Sequence, residues 1–222
     1  MKSKFIKLFT GLLFFTLCSG ANAVSLNVNV YGVNGPWNPV INPNYDYNRY
    51  ENYDQNTATI INNIAGKDLN AGDKLIVNYL SGKVIWYLNA PEFHWVDANG
   101  YEQYITNDLK YSDGVNRFPS AYINPDDYPI YLMALLGTFT DSSGIIIDNP
   151  FFIGTNPLEL TVPVGATQLQ LGVNDCHYSS NEGYFLVNVE HIPAPVPEPS
   201  SMVLGLISLA GFFGTKKLKS VK

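Results

Sequence analysis

The sequence predicts an all-β domain, an antiparallel β-sandwich, set between two targeting segments. Three observations carry this. Short apolar stretches with a period of two recur through residues 24–192. Gly, Pro, Asn and Asp punctuate almost every gap between them. Away from the two ends, no long stretch repeats its apolar residues at helical spacing. Several short strands at this spacing build a sandwich, and no internal repeat is present.

The strands follow in order. Ser25 to Val30 alternates Leu26, Val28 and Val30 with Asn27 and Asn29, the pattern of a half-buried strand. Residues 31–56 break the pattern: Tyr31, Tyr45, Tyr47, Tyr50 and Tyr53 stand among Asn, Pro and Asp, with Trp37 between Pro36 and Asn38. This reads as a long irregular loop. Its aromatics either stack on sugar rings or pin the loop to the sandwich with their hydroxyls in water. Lys74 to Tyr79 is a strand after the Ala71-Gly72-Asp73 turn, and Val84 to Leu88 is another after a break at Ser81-Gly82. Ile130 to Thr140, Phe151 to Ile153, Leu158 to Val162, Thr167 to Val173 and Tyr184 to Val189 complete the set.

Both ends read as addresses. Lys2, Lys4 and Lys7 precede an apolar run from Leu8 to Leu17, and Ala21-Asn22-Ala23 offers the small residues a signal peptidase reads. Residues 1–23 are therefore expected to be a secretory signal. The run is too short to span a bilayer core of about 30 Å as a helix. Leu17 before Cys18 does not suit a lipoprotein signal. Without that segment Cys176 is the one cysteine, expected to be a small buried hydrophobe rather than a reactive thiol. His94, His177 and His191 are too scattered for a zinc site. Residues 24–196 carry six basic side chains (Arg49, Lys67, Lys74, Lys83, Lys110, Arg117) against 18 acidic ones, a net of −12. A surface so acidic repels phosphate backbones, which argues against nucleic acid, and it suits a hard cation such as calcium.

At the far end, Pro193, Pro195, Pro197 and Pro199 give residues 193–201 a stiff extended character. An apolar segment follows at 202–215 and a basic tail at 216–222, with Lys216, Lys217, Lys219 and Lys222. The lysines are expected to stay cytoplasmic. The Pro197-Glu198-Pro199 triplet, the apolar helix after it and the lysine cluster together resemble the PEP-CTERM protein-sorting signal. That resemblance implies recognition by an exosortase, transient anchoring in the inner membrane, cleavage near the triplet, and delivery to the cell surface or an exopolysaccharide matrix.

The most informative internal segment runs from Leu169 to Val189. A strand ends in Asn174-Asp175, a short polar loop follows, and Gly183 opens the next strand. Asp175 and Asn181 face each other across one tight loop, and backbone carbonyls lie between them. Calcium takes six to eight oxygens, so this composition can hold it. The same residues can equally close a turn by side-chain-to-backbone hydrogen bonds.

This segment resembles the PA-I type galactophilic lectins and their galactose-binding-like, jelly-roll-type relatives. The upstream steps Leu132 to Gly137, Phe152-Ile153-Gly154, Pro163 to Ala166, Gly72-Asp73 through Gly82, and Asp97 to Gly100 fit the same pattern, so the likeness covers about residues 65–190. It implies calcium ligands at Asp175, Asn181 and Ser180, with backbone carbonyls from Tyr178 and Trp86. It implies carbohydrate contact at Asp175, Cys176 and Ser180. Ser180 stands where the family prefers Asn or Asp. The family's sugar-contacting histidine has no counterpart, because His94 precedes the Asp97–Gly100 turn.

The expected function is thus a non-enzymatic carbohydrate-binding module of an exported surface protein, with calcium as its cofactor and extracellular polysaccharide as its partner. A structural or adhesive matrix protein without a sugar site is the alternative. A glycoside hydrolase would need two carboxylates flanking a cleft. Among 18 acids, pairs such as Asp126-Asp127 or Glu92 with Asp97 arise by chance. The chain has neither a Gly-x-Ser-x-Gly elbow nor a P-loop.

Overall fold

A computed structural model describes residues 22–47, 57–87, 92–127 and 129–195. The secretory signal (but for Asn22 and Ala23), Tyr50, Tyr53, Leu88, the Pro197-Glu198-Pro199 triplet, the apolar segment and the basic tail lie outside the described residues. Twelve strands are present among those described: β1 (Val24–Tyr31), β2 (Thr59–Ile61), β3 (Asn63–Ile64), β4 (Lys67–Asp68), β5 (Lys74–Ile85), β6 (Tyr101–Ile105), β7 (Tyr131–Leu132), β8 (Leu135–Thr140), β9 (Phe151–Phe152), β10 (Leu158–Thr161), β11 (Gln168–Val173) and β12 (Glu182–Ile192). Helix among the described residues is limited to short 3-10 turns such as Pro43–Tyr45 and Pro119–Tyr122, and none is long and apolar enough to cross a membrane.

The strands form two antiparallel four-stranded sheets, ordered β1-β12-β5-β10 and β2-β11-β8-β9, with the small two-stranded pairs β3-β4 and β6-β7 in addition. The period-two pattern explains which faces meet. Phe185, Val187 and Val189 of β12 are fully buried, as are Leu75 and Val77 of β5 and Val30 of β1. From the other sheet, Leu169, Leu171 and Val173 of β11 and Leu135 and Phe139 of β8 join the same cluster. Burying one such side chain contributes about 2–3 kcal/mol, so this shared face holds the sheets together. The outer face of β8 is covered too: Leu136 packs with Ile123, Ile130 and Ala134.

The structure corrects three expectations. Ser81-Gly82 is not a break: β5 runs unbroken from Lys74 to Ile85 and pairs with β12 along its whole length. The register passes from Tyr79↔Val187 to Ser81↔Leu186, which leaves Leu80 as a bulge residue. Gly82 absorbs the resulting twist at φ +97, and a Cβ there would sit 2.3 Å from the Tyr184 carbonyl oxygen. The strand expected at Ile130–Thr140 is split into β7 and β8 at Met133, which adopts φ 64 and donates its N–H to the Asn174 carbonyl. Strands β2, β3, β4 and β6 are additional to the expected set, because most are too short to show a period.

The described part of the 31–56 loop is pinned. Trp37 and Tyr47 are fully buried and meet edge to face at 5.2 Å. The Trp37 indole N–H donates to the Tyr45 carbonyl at 2.8 Å and the Tyr47 hydroxyl to the Trp37 carbonyl at 2.6 Å. These rings close the loop on itself; their polar ends bond to backbone instead of water.

Candidate functional site

The loop between β11 and β12 is the best-organised polar feature among the described residues. Asn174 is fully buried. Its side chain accepts from Ser120 N–H and donates to Thr106 Oγ1 and the Tyr131 carbonyl, so it ties three distant segments to the end of β11. Asp175 is also fully buried. Its Oδ1 accepts the backbone N–H groups of Cys176 (2.6 Å) and His177 (3.2 Å), and its Oδ2 accepts Asn181 Nδ2 (2.8 Å). The same Asn181 nitrogen donates to the Gly32 carbonyl at 2.8 Å. Burial pushes the Asp175 carboxyl up to about 7, against the lowering effect of the Asn181, His177 and Cys176 hydrogen bonds.

The other residues singled out by sequence lie around this knot. Tyr178 is buried, donates its hydroxyl to the Val173 carbonyl and packs edge to face on Tyr47 at 5.9 Å. Its carbonyl accepts Asn181 N–H. Burial raises the Tyr178 hydroxyl well above the ordinary tyrosine range. Cys176 is buried, with Sγ 3.0 Å from the Tyr111 hydroxyl. Ser180 donates its hydroxyl to the Trp86 carbonyl at 3.2 Å. The structure therefore brings Asp175 to Asn181 and Ser180 to Trp86.

As arranged, these groups do not present the oxygen set that calcium takes. Both carboxylate oxygens of Asp175 already accept N–H donors, and Asn181 turns its nitrogen, not its oxygen, toward the carboxylate. The Trp86 and Tyr178 carbonyls are each occupied by a donor. Asn181 Oδ1 is the one buried side-chain oxygen of the group without a partner. Among the described residues no three His, Cys, Asp or Glu side chains are grouped to share a metal ion.

On the solvent side of this loop lies an open cleft of about 400 Å³, lined by Trp86, Tyr87, Glu92, Phe93, His177 and Ser180. Three pieces of chain build it. The chain just past the end of β5 delivers Trp86 and Tyr87. A returning segment delivers Glu92 and Phe93, held by paired hydrogen bonds between Val84 and Val96 (3.0 and 2.9 Å). The β11–β12 loop adds His177 and Ser180. Phe93 meets Trp86 edge to face at 4.5 Å and Tyr101 at 5.5 Å, while Tyr87 is 46% exposed. The cleft thus combines aromatic walls with a carboxylate, an imidazole and a hydroxyl at its rim.

Sequence reasoning did not single out Tyr87, Glu92, Phe93 or His177 as binding residues. A signal was present. Trp86 and Tyr87 are consecutive large aromatics beside a strand, more ring surface than one short stretch of chain readily buries in a core. The partner segment 92–96 gave no such sign, because only the fold brings it to β5. Comparison with known proteins finds no matching family model, no matching curated protein and no matching solved structure.

Proposed function

We propose that this chain is an exported surface or matrix protein whose β-sandwich, a galactose-binding-like relative, binds extracellular polysaccharide without turning it over. The leader and the PEP-CTERM-like tail supply the address in this reading, with an exosortase as the transient partner of Pro197-Glu198-Pro199. The observation that carries the binding is the Trp86–Tyr87–Phe93 cleft with its polar rim. Aromatic walls accept the apolar face of a sugar ring, and a few placed polar groups orient its hydroxyls. Glu92 accepts from a sugar hydroxyl, Ser180, whose own O–H is held by the Trp86 carbonyl, accepts another, and His177, with Nε2 3.0 Å from Ser179 Oγ, closes the rim. Asp175, Asn181, Cys176 and Tyr178 act behind the cleft, holding the loop that presents His177 and Ser180. No step is routed through calcium.

The test is retention of the full chain on immobilised neutral polysaccharides, with and without a calcium chelator. Tyr87→Ala removes an exposed ring and is expected to weaken retention about tenfold with the fold intact. Retention unaffected by chelator supports direct binding. Loss on chelation, restored by calcium, would return the site to the Asp175–Asn181 ion reading. No retention on any glycan would leave a structural surface protein.

A further inference from the structure

The returning segment lines two pockets in turn: Glu92 and Phe93 face the cleft, and the residues that follow line a second, separate groove. Val96 is buried and bridges Val84, while its neighbour Trp95 is 42% exposed. Trp95 lines an open, predominantly polar groove of about 270 Å³ with Lys83, Asp97, Asn99, Glu102 and Gln103. The groove is built rather than incidental. Gly183 seats the edge of the indole: a Cβ at that position would lie 2.5 Å from Trp95 Cζ3 and 2.2 Å from the Lys83 carbonyl oxygen, and its φ of +84 favours glycine. Asp97 Oδ1 accepts Asn99 N–H at 2.9 Å, which orients the carboxylate. Asn99 is fixed in turn by Thr155, whose N–H and hydroxyl both donate to its Oδ1.

We infer that the Trp95 groove is a second carbohydrate subsite, one that extends the cleft so that the domain grips a stretch of neutral polysaccharide rather than a single sugar. This rests on the reading that the domain binds polysaccharide. The chemistry of the groove fits such an occupant. Lys83, Gln103 and the Trp95 indole are donors and Asp97 and Glu102 acceptors, the mixture that hydroxyl groups match because each both donates and accepts. Among the described residues, the side chains of Lys83, Trp95, Glu102 and Gln103 make no hydrogen bond within the protein, so their capacity is open to a ligand. The net of −12 across residues 24–196 disfavours an anionic glycan. Lys83 of the groove and Trp86 of the cleft are three residues apart along the chain where β5 ends, so their backbones lie at most about 11 Å apart. A short linked chain of sugars reaches over such a distance.

The experiment compares full-chain wild type, Tyr87→Ala, Trp95→Ala and Trp95→Phe. Binding is measured to soluble β-glucan, galactan and mannan and to their oligosaccharides of increasing length. Far-UV circular dichroism and melting temperature report the fold. Trp95→Ala is expected to lose about tenfold in affinity for the polymer and long oligosaccharides while leaving monosaccharide binding unchanged. Trp95→Phe should recover most of that loss, and Tyr87→Ala should weaken short and long ligands alike. If Trp95→Ala binds every length as wild type does while Tyr87→Ala is impaired, the second subsite is overturned and the cleft stands. Loss in Trp95→Ala without loss in Tyr87→Ala would sustain the groove and overturn the cleft. Wild type that binds none of the three glycans overturns both.

Discussion

Replacing Asp175 by asparagine should change how stability depends on pH. The Asp175 carboxyl is fully buried at the end of β11, and burial raises it from 3.8 to about 7. Between those values the folded protein keeps a proton that the unfolded chain has released. Stability contributed by the protonated carboxyl is therefore present below pH 4 and falls as pH rises toward 7. The shift spans about three pH units at about 1.4 kcal/mol each, so ionisation costs on the order of 4 kcal/mol in all. Roughly 3 kcal/mol of that falls between pH 5 and 8. The amide that Asp175→Asn introduces has no proton to lose, so the variant's urea midpoint should decline less across that window than wild type's. The variant should also be less stable than wild type at pH 5. A side-chain amide at this position must meet the Asn181 amide, and Asn181 then surrenders either that contact or its bond to Gly32. Parallel pH profiles for the two proteins, or a wild-type curve that rises from pH 5 to 8 relative to the variant, would refute the reasoning.

Further outcomes follow from other parts of the fold. Asp73 is buried and accepts hydrogen bonds from the N–H groups of Ala194 and Asn70, with His191 Nε2 at 2.7 Å. Burial raises its carboxyl, but these bonds outweigh that and hold it below the usual range. Asp73→Asn should thus cost about 2–3 kcal/mol at pH 7 by chemical denaturation, a loss that shrinks as pH falls through the acidic range where wild type too becomes protonated. Gly172 sits where a Cβ would lie 2.3–2.4 Å from the backbone of Gly35 and Pro36. Gly172→Ala should lower stability by about 3 kcal/mol, read as a drop in melting temperature, because backbone on both sides must move.

Much of this molecule is readable in one dimension. The alternation of Ser25–Val30 gives β1 and its inward face without reference to anything else, since side chains on a strand switch sides at every residue. The Asn174-Asp175 to Gly183 block likewise announces a tight polar loop between two strands. What stays illegible there is the partner of each polar group. Asn181 bonds Gly32 across 149 positions and Ser180 bonds Trp86 across 94. Those contacts, and not the loop's own sequence, decide how Asn181 and Ser180 are held. The Ser81-Gly82 pair shows the same limit on a smaller scale. Glycine after a polar residue reads as a turn, yet β12 pairs on through both residues and the irregularity falls at Leu80 before them.

By itself, then, the sequence determined the all-β class, the acidic surface, the places of most long strands and the loop at 174–181. All of these rest on local period, composition or turn chemistry. The tertiary structure alone decided that Trp86, Phe93 and His177 share one cleft and that Trp95 stands over Gly183. It alone turned Asp175 inward. Each of these depends on which strands pair and in what register, and pairing energy comes from contacts between residues far apart in the chain.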